Sequence, residues 1–121
     1  MATRAFIGIE NEDGTVTGVY CHFDGYLEGV GRTLQENYAD LAAVRKLVAL
    51  GDISSLGPTL EPADTVAYAR DRGETDTAAR TFASRRARGQ DMQGYEYMYV
   101  FTPAGWLYRT TSEDWKPIDL P

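Results

Sequence analysis

Ala5-Phe6-Ile7-Gly8-Ile9 and Val16-Thr17-Gly18-Val19-Tyr20, on either side of Asn11-Glu12-Asp13-Gly14, open the chain as a hairpin. Both runs favour the extended backbone, and an Asp-Gly inside a polar cluster supplies the positive φ that a tight turn needs. Gly8 and Gly18 carry no side chain and mark a bulge or a close approach by another backbone. The other end of the chain repeats the pattern. Tyr95-Glu96-Tyr97-Met98-Tyr99-Val100-Phe101 alternates so that Tyr95, Tyr97, Tyr99 and Phe101 share one face. Thr102-Pro103-Ala104-Gly105 turns, Trp106-Leu107-Tyr108-Arg109 returns, and Trp115 and Ile118 are expected to pack back as a terminal flap.

Between the hairpins the pattern is helical. Thr33-Leu34-Gln35-Glu36 has the Thr-x-x-Glu form of a capping box, with Leu34 and Tyr38 on one face. Asp40 caps a second helix whose stripe is Leu41, Val44, Leu47 and Val48, and Gly51 stops it. Thr65-Val66-Ala67-Tyr68-Ala69 reads as a short strand. A third helix is expected from Thr75 or Asp76 to Arg88, with Ala78, Ala79, Phe82 and Ala83 inward and Gly89 ending it. The order β-β-α-α-β-α-β-β predicts an α+β domain. Its sheet should be mainly antiparallel, two hairpins plus a central strand, with about three helices packed on one face. No repeat or linker divides residues 1–121, so one domain is expected.

Composition narrows the function. A chain of 121 residues with 43% apolar and 25% charged residues is globular and can bury a real core. A net charge of −6 argues against a nucleic-acid coat. One cysteine excludes a disulfide framework or a cysteine-cluster zinc site, and one histidine excludes a multi-histidine metal site within one chain. There is no apolar run of the ~18–20 residues a membrane span needs. The N-terminal residues lack a secretory apolar region, so a cytoplasmic protein with no membrane partner is expected. The charge is unevenly placed. Residues up to Asp64 carry 10 acids and 4 bases, whereas the remaining 57 carry 8 of each. A local anion site in the back half is therefore compatible with the acidic total, and so is self-association of unlike surfaces into a homo-oligomer.

Four stretches invite a site. His22 and Asp24 are two apart and share a face if the second strand continues, either as a strand-end hydrogen bond or as part of a site. Cys21 and His22, being adjacent on a strand, point to opposite faces and make a poor thiol–imidazole pair. Gly25, Gly29 and Gly31 form either a tight loop or an amide cradle for an anion, with Tyr26 inside it. Ser54 and Ser55 follow Asp52 in a turn that satisfies its own backbone or offers hydroxyls to a ligand. Tyr68, Arg70 and Arg72 fall on one side if their strand extends, placing an aromatic ring beside two guanidinium groups. Stacking plus bidentate hydrogen bonding of that kind suits a nucleotide or phosphate, although pairing to Asp71, Glu74 or Asp76 would leave only a solvated loop. Arg80, Arg85, Arg86 and Arg88 make the expected third helix basic, and the tyrosine ladder, Tyr99 included, is either core or binding surface.

Phe6 to Gly14, Tyr20-Cys21-His22-Phe23-Asp24-Gly25-Tyr26, Gly51-Asp52-Ile53-Ser54-Ser55-Leu56-Gly57 and Thr65 to Glu74 together resemble a family of small tailed-phage and prophage proteins. The closing tyrosine-rich hairpin with tryptophan is part of the likeness, which extends over most of the chain. The family supplies no catalytic residues to carry over, and the alanine- and arginine-rich stretch after Thr75 departs from its pattern. The resemblance implies a phage accessory or counter-defence protein acting in the cytoplasm of the host cell. The expected function is a non-catalytic sponge that sequesters a nucleotide-derived immune signal. The ligand-binding residues would be His22, Asp24, Tyr26, Ser54, Tyr68, Arg70, Arg72 and Tyr99, with no cofactor, no metal and no catalytic residue. Two alternatives remain open: an acidic protein that blocks a host defence protein by nucleic-acid mimicry, and a phosphodiesterase-type enzyme using His22, Asp24 and an arginine.

Overall fold

A computed structural model of the chain describes residues 2–86 and 94–121. The first hairpin forms as expected: β1 (Ala5–Glu10) pairs antiparallel with β2 (Val16–Cys21), Gly8 opposite Gly18. Those two glycines form a shelf for the Phe6 ring. A Cβ on Gly8 would sit 2.8 Å from Phe6 Cε2, so the close approach is by a ring. The turn closes through Gly14, whose φ of 86° suits glycine, while Asp13 holds both the amide and the hydroxyl of Thr15.

After β2 a single π-turn, Leu27–Gly31, runs directly into α1 (Arg32–Asn37). Because helical winding starts before Thr33, that residue is no N-cap. Its hydroxyl donates back to Gly29 O at 3.0 Å, and the expected capping box does not form. Leu34 and Tyr38 are buried as expected. In α2 (Leu41–Ala49) the Asp40 carboxylate accepts from the Ala43 amide at 2.8 Å, and Gly51, at φ 79°, follows as the stop. Val44, Leu47 and Val48 are buried, whereas Leu41 stays 39% exposed.

Of the expected strand Thr65 to Ala69 only β4 (Val66–Ala67) is extended, and Ile53–Ser55, read from the sequence as part of a turn, forms β3, which pairs with both β2 and β4. The chain then coils into α3 (Tyr68–Arg72), where Asp71 accepts the Ala67 amide and Gly73 closes the helix at φ 66°. Residues 75–84 are not the expected third helix. Arg80–Phe82 form β5, laid antiparallel along the outer edge of β2. The alanine-heavy stripe offered too little apolar surface to hold a helix, and an open strand edge offered hydrogen bonds instead. Arg88 and Gly89, the expected end of that helix, lie outside the described residues.

The second hairpin is β6 (Tyr97–Thr102) and β7 (Gly105–Thr110), followed by β8 (Lys116–Pro117). The fold is α+β, but its sheet is mixed. The order is β4-β3-β2-β1-β6-β7-β8, with β5 also on β2. β1 runs parallel to β6 and β2 parallel to β3, and for the second pair α1 and α2 return the chain to the same end before β3 begins.

The sheet has two unlike faces. Ile7, Val19, Cys21, Tyr99, Trp106 and Tyr108 face the helices and pack with Leu34, Val44 and Leu47. Phe6, Val16, Met98 and Val100 form a smaller cluster on the opposite face, covered by Phe82, Tyr95 and Trp115. The tyrosine ladder therefore splits. Tyr97, Tyr99 and Phe101 pack toward the helix side, while Tyr95 precedes β6 and meets Phe6 edge-on at 6.1 Å.

Candidate functional site

The expected ligand residues come from several elements: His22 and Phe23 run beside β3, donating their amides to Ile53 O and Ser54 O, and Tyr68 to Arg72 follow β4 on the other side of β3. In α3, Tyr68 and Arg72 are one turn apart, with the Arg72 guanidinium 5.3 Å from the ring centroid. Arg70 is spent elsewhere: Nη1 donates to Leu60 O at 2.6 Å, Nη2 to Thr65 O at 2.8 Å and Nε to Asp71 at 3.0 Å. This is a strut between the 59–65 loop and α3. The Arg70 guanidinium, with the Ala67 amide, holds the Asp71 carboxyl below the usual carboxylate range. The strand geometry that would have aligned Tyr68, Arg70 and Arg72 is absent, because the segment is helical.

Two further candidates are core residues. Ser54 is buried in β3. Tyr99 is fully buried and donates to Gly25 O at 2.7 Å, and burial pushes its phenol up. Asp24 and Tyr26 lie on the exposed loop before the π-turn. Asp24 adopts a left-handed φ of 59° while its carbonyl accepts from Val30, and Tyr26 is 42% exposed. His22 is half-buried; its Nδ1 is bonded to the Tyr20 hydroxyl, and Phe23 packs edge-on against its ring at 4.5 Å. Cys21 is buried, its thiol donates to Phe23 O, and burial pushes it up to about 12, so it is no nucleophile near neutral pH.

A better-formed site lies on the face away from the helices, over the smaller cluster. A cleft of about 770 Å³ is lined by Glu10 at the end of β1, Arg85 and Arg86 after β5, Arg109 on β7, and Asp114 and Trp115 before β8. Arg85 Nη1 donates to Glu10 at 2.8 Å, and its guanidinium lies 5.8 Å from the Trp115 ring centroid. Asp114 accepts the Trp115 amide at 2.8 Å and takes only a long 3.4 Å bond from Arg109 Nη1. Three cations thus face two carboxylates.

Two donors on residues that line this cleft have no acceptor among the described residues: Arg109 Nε and the indole Nε1 of Trp115, both closed off from water beneath its surface. An unsatisfied buried donor costs about 1–3 kcal/mol, so this arrangement favours any acceptor that reaches it with a small shift of the overlying side chains. Carboxylate and phosphate oxygens suit such a cluster, since a guanidinium presents its donors as a fork that meets two oxygens at once.

Alternation in the sequence carried one signal for this site. Leu107 and Arg109 fall on the strand face opposite Trp106 and Tyr108. A basic helix through Arg85 and Arg86 gives no hint that these residues meet Arg109 and Trp115.

Among the described residues, no group of three or more His, Cys, Asp or Glu side chains is placed to hold a metal ion. No helix among them is long and apolar enough to cross a membrane. No protein-family model, curated protein or solved structure matches the chain.

Proposed function

We propose that this chain is a small phage accessory protein of the counter-defence type, which binds and sequesters a nucleotide-derived anionic signal without cleaving it. The observation that carries the reading is the pair of unsatisfied donors, Arg109 Nε and Trp115 Nε1, in a cleft shared with Arg85 and Arg86. Guanidinium groups take phosphate oxygens, and an indole adds both a donor and an apolar ring. This moves the binding role from the Tyr68–Arg72 segment to the cleft over the smaller cluster.

Binding is favoured over cleavage by how the possible catalytic groups are employed. Arg70 braces a loop and is not free to stabilise a phosphate transition state, and His22 Nδ1 is bonded to Tyr20. Isothermal titration against mononucleotides, cyclic nucleotides and cyclic ADP-ribose isomers is expected to reveal at least one binder. That ligand should be recovered unchanged when the complex is heat-denatured. Absence of binding across the whole panel would overturn the proposal, and recovery of a chemically altered ligand would replace the sponge with an enzyme.

A further inference from the structure

The cleft has a neighbour on the other side of the sheet. A second hollow of about 630 Å³ is lined by Ile9, Leu41, Phe101 and Pro103, with Glu12 and Arg45 at its rim. Both hollows are lined by Glu10 and Gly14, so they meet at the end of β1 and the turn that follows it. Their chemistries are complementary. One is rich in guanidinium donors, while the other offers apolar walls, an aromatic ring and a carboxylate. Neither Glu12 nor Arg45 forms an ion pair with a described residue. Leu41, the residue of the α2 stripe left in solvent, stands in the wall of this hollow.

Resting on the reading above, we propose that the second hollow is the base subsite of the same ligand. The ligand class is then a nucleotide whose base carries an exocyclic amine. Its phosphate would lie among Arg85, Arg86 and Arg109. Its ring would cross the end of β1 and rest against Leu41, Phe101 and Pro103. Glu12, an acceptor-only group when ionised, takes a hydrogen bond from an amine, and Arg45 in the same hollow donates to a ring carbonyl, so cytosine, which carries both, satisfies the two together where uracil leaves Glu12 without a donor from an amine. The Glu10–Arg85 pair stands at the junction, so an arriving phosphate competes with Glu10 for that guanidinium.

Calorimetric titration of the full chain with cytidine monophosphate, uridine monophosphate and inorganic phosphate tests this directly. Cytidine monophosphate is expected to bind at least about tenfold more tightly than either competitor, the discrimination typical of a site built around a specific polar contact or an apolar ring. Glu12→Gln should abolish the preference for cytidine over uridine. Leu41→Asp, at an exposed position the fold tolerates, should weaken both nucleotides and leave inorganic phosphate unchanged. Equal affinity for all three ligands would overturn the base subsite while the anion cleft stood. So would a cytidine preference untouched by both substitutions. Failure of all three to bind would overturn the base subsite and count against the anion cleft itself.

Discussion

Two arginine-bearing regions of this molecule look alike in sequence and differ in what their donors do. In α3, Arg70 gives its guanidinium to two carbonyls and a carboxylate of its own chain. In the cleft over the smaller cluster, Arg109 Nε and Trp115 Nε1 have no acceptor among the described residues. The same residue types in aromatic company are a brace in one place and a candidate receptor in the other. Unspent donors distinguish them, because a hydrogen bond already made inside the fold must be broken before a ligand can use the group.

The sharpest way to break this comparison is reciprocal substitution. Arg109→Gln should weaken nucleotide binding about 10–100-fold by calorimetry, the range of a lost charge-assisted hydrogen bond. Its melting temperature should hardly change. Arg70→Gln should do the reverse, lowering Tm in a thermal scan and leaving affinity intact. Arg109→Gln that melts early but binds normally would exchange the two roles.

Smaller effects sharpen the contrast. Trp115→Phe keeps an aromatic ring and removes an unsatisfied donor. The ligand-free protein should therefore become more stable by about 1 kcal/mol in chemical denaturation while affinity falls several-fold. Tyr99→Phe, which strips a satisfied hydroxyl from Gly25 O, should cost about 1 kcal/mol and leave affinity untouched.

The smallest prediction concerns pH. Asp52 is buried, and burial pushes its carboxyl up against the opposing pull of the Tyr20 amide and of Arg80. A carboxyl raised in the folded state binds protons more readily there than when unfolded. Stability therefore falls as pH rises from its ordinary value, about 3.9, through the raised one. Asp52→Asn should exceed the parent in Tm at neutral pH, with the gap closing in acid. Asp71, held low by Arg70 and the Ala67 amide, works in the opposite sense: its contribution is present above the ordinary carboxyl range and is lost as pH falls through its lowered value.

Where local chemistry decided the structure, the sequence was readable. Asp13-Gly14 set the first hairpin, Asp40 and Gly51 bounded α2, and strand alternation placed Tyr97, Tyr99 and Phe101 on one face. Where distant partners decided it, the sequence misled. Nothing near Phe6 announces that β1 will pair in parallel with β6. Nothing near Arg80 announces that an open edge of β2 will draw residues 80–82 into a strand. The five-residue α3 depends on the Asp71 carboxylate reaching the Ala67 amide, a contact that strand alternation does not anticipate. The candidate cleft was the least legible part. Glu10, Arg85, Arg109 and Trp115 come from four separate segments and meet only after the sheet has assembled.

The two tryptophans provide the most direct test. Trp106 Nε1 donates to Tyr38 O at 2.8 Å in the core, whereas Trp115 Nε1 has no acceptor among the described residues. In a proton–nitrogen correlation spectrum, titration with cytidine monophosphate should move the Trp115 indole resonance downfield and saturably while that of Trp106 stays in place. Nucleotide that binds with the Trp115 indole unmoved, or with resonances of the Tyr68–Arg72 segment shifting in its stead, would contradict the assignment of the cleft as the binding site.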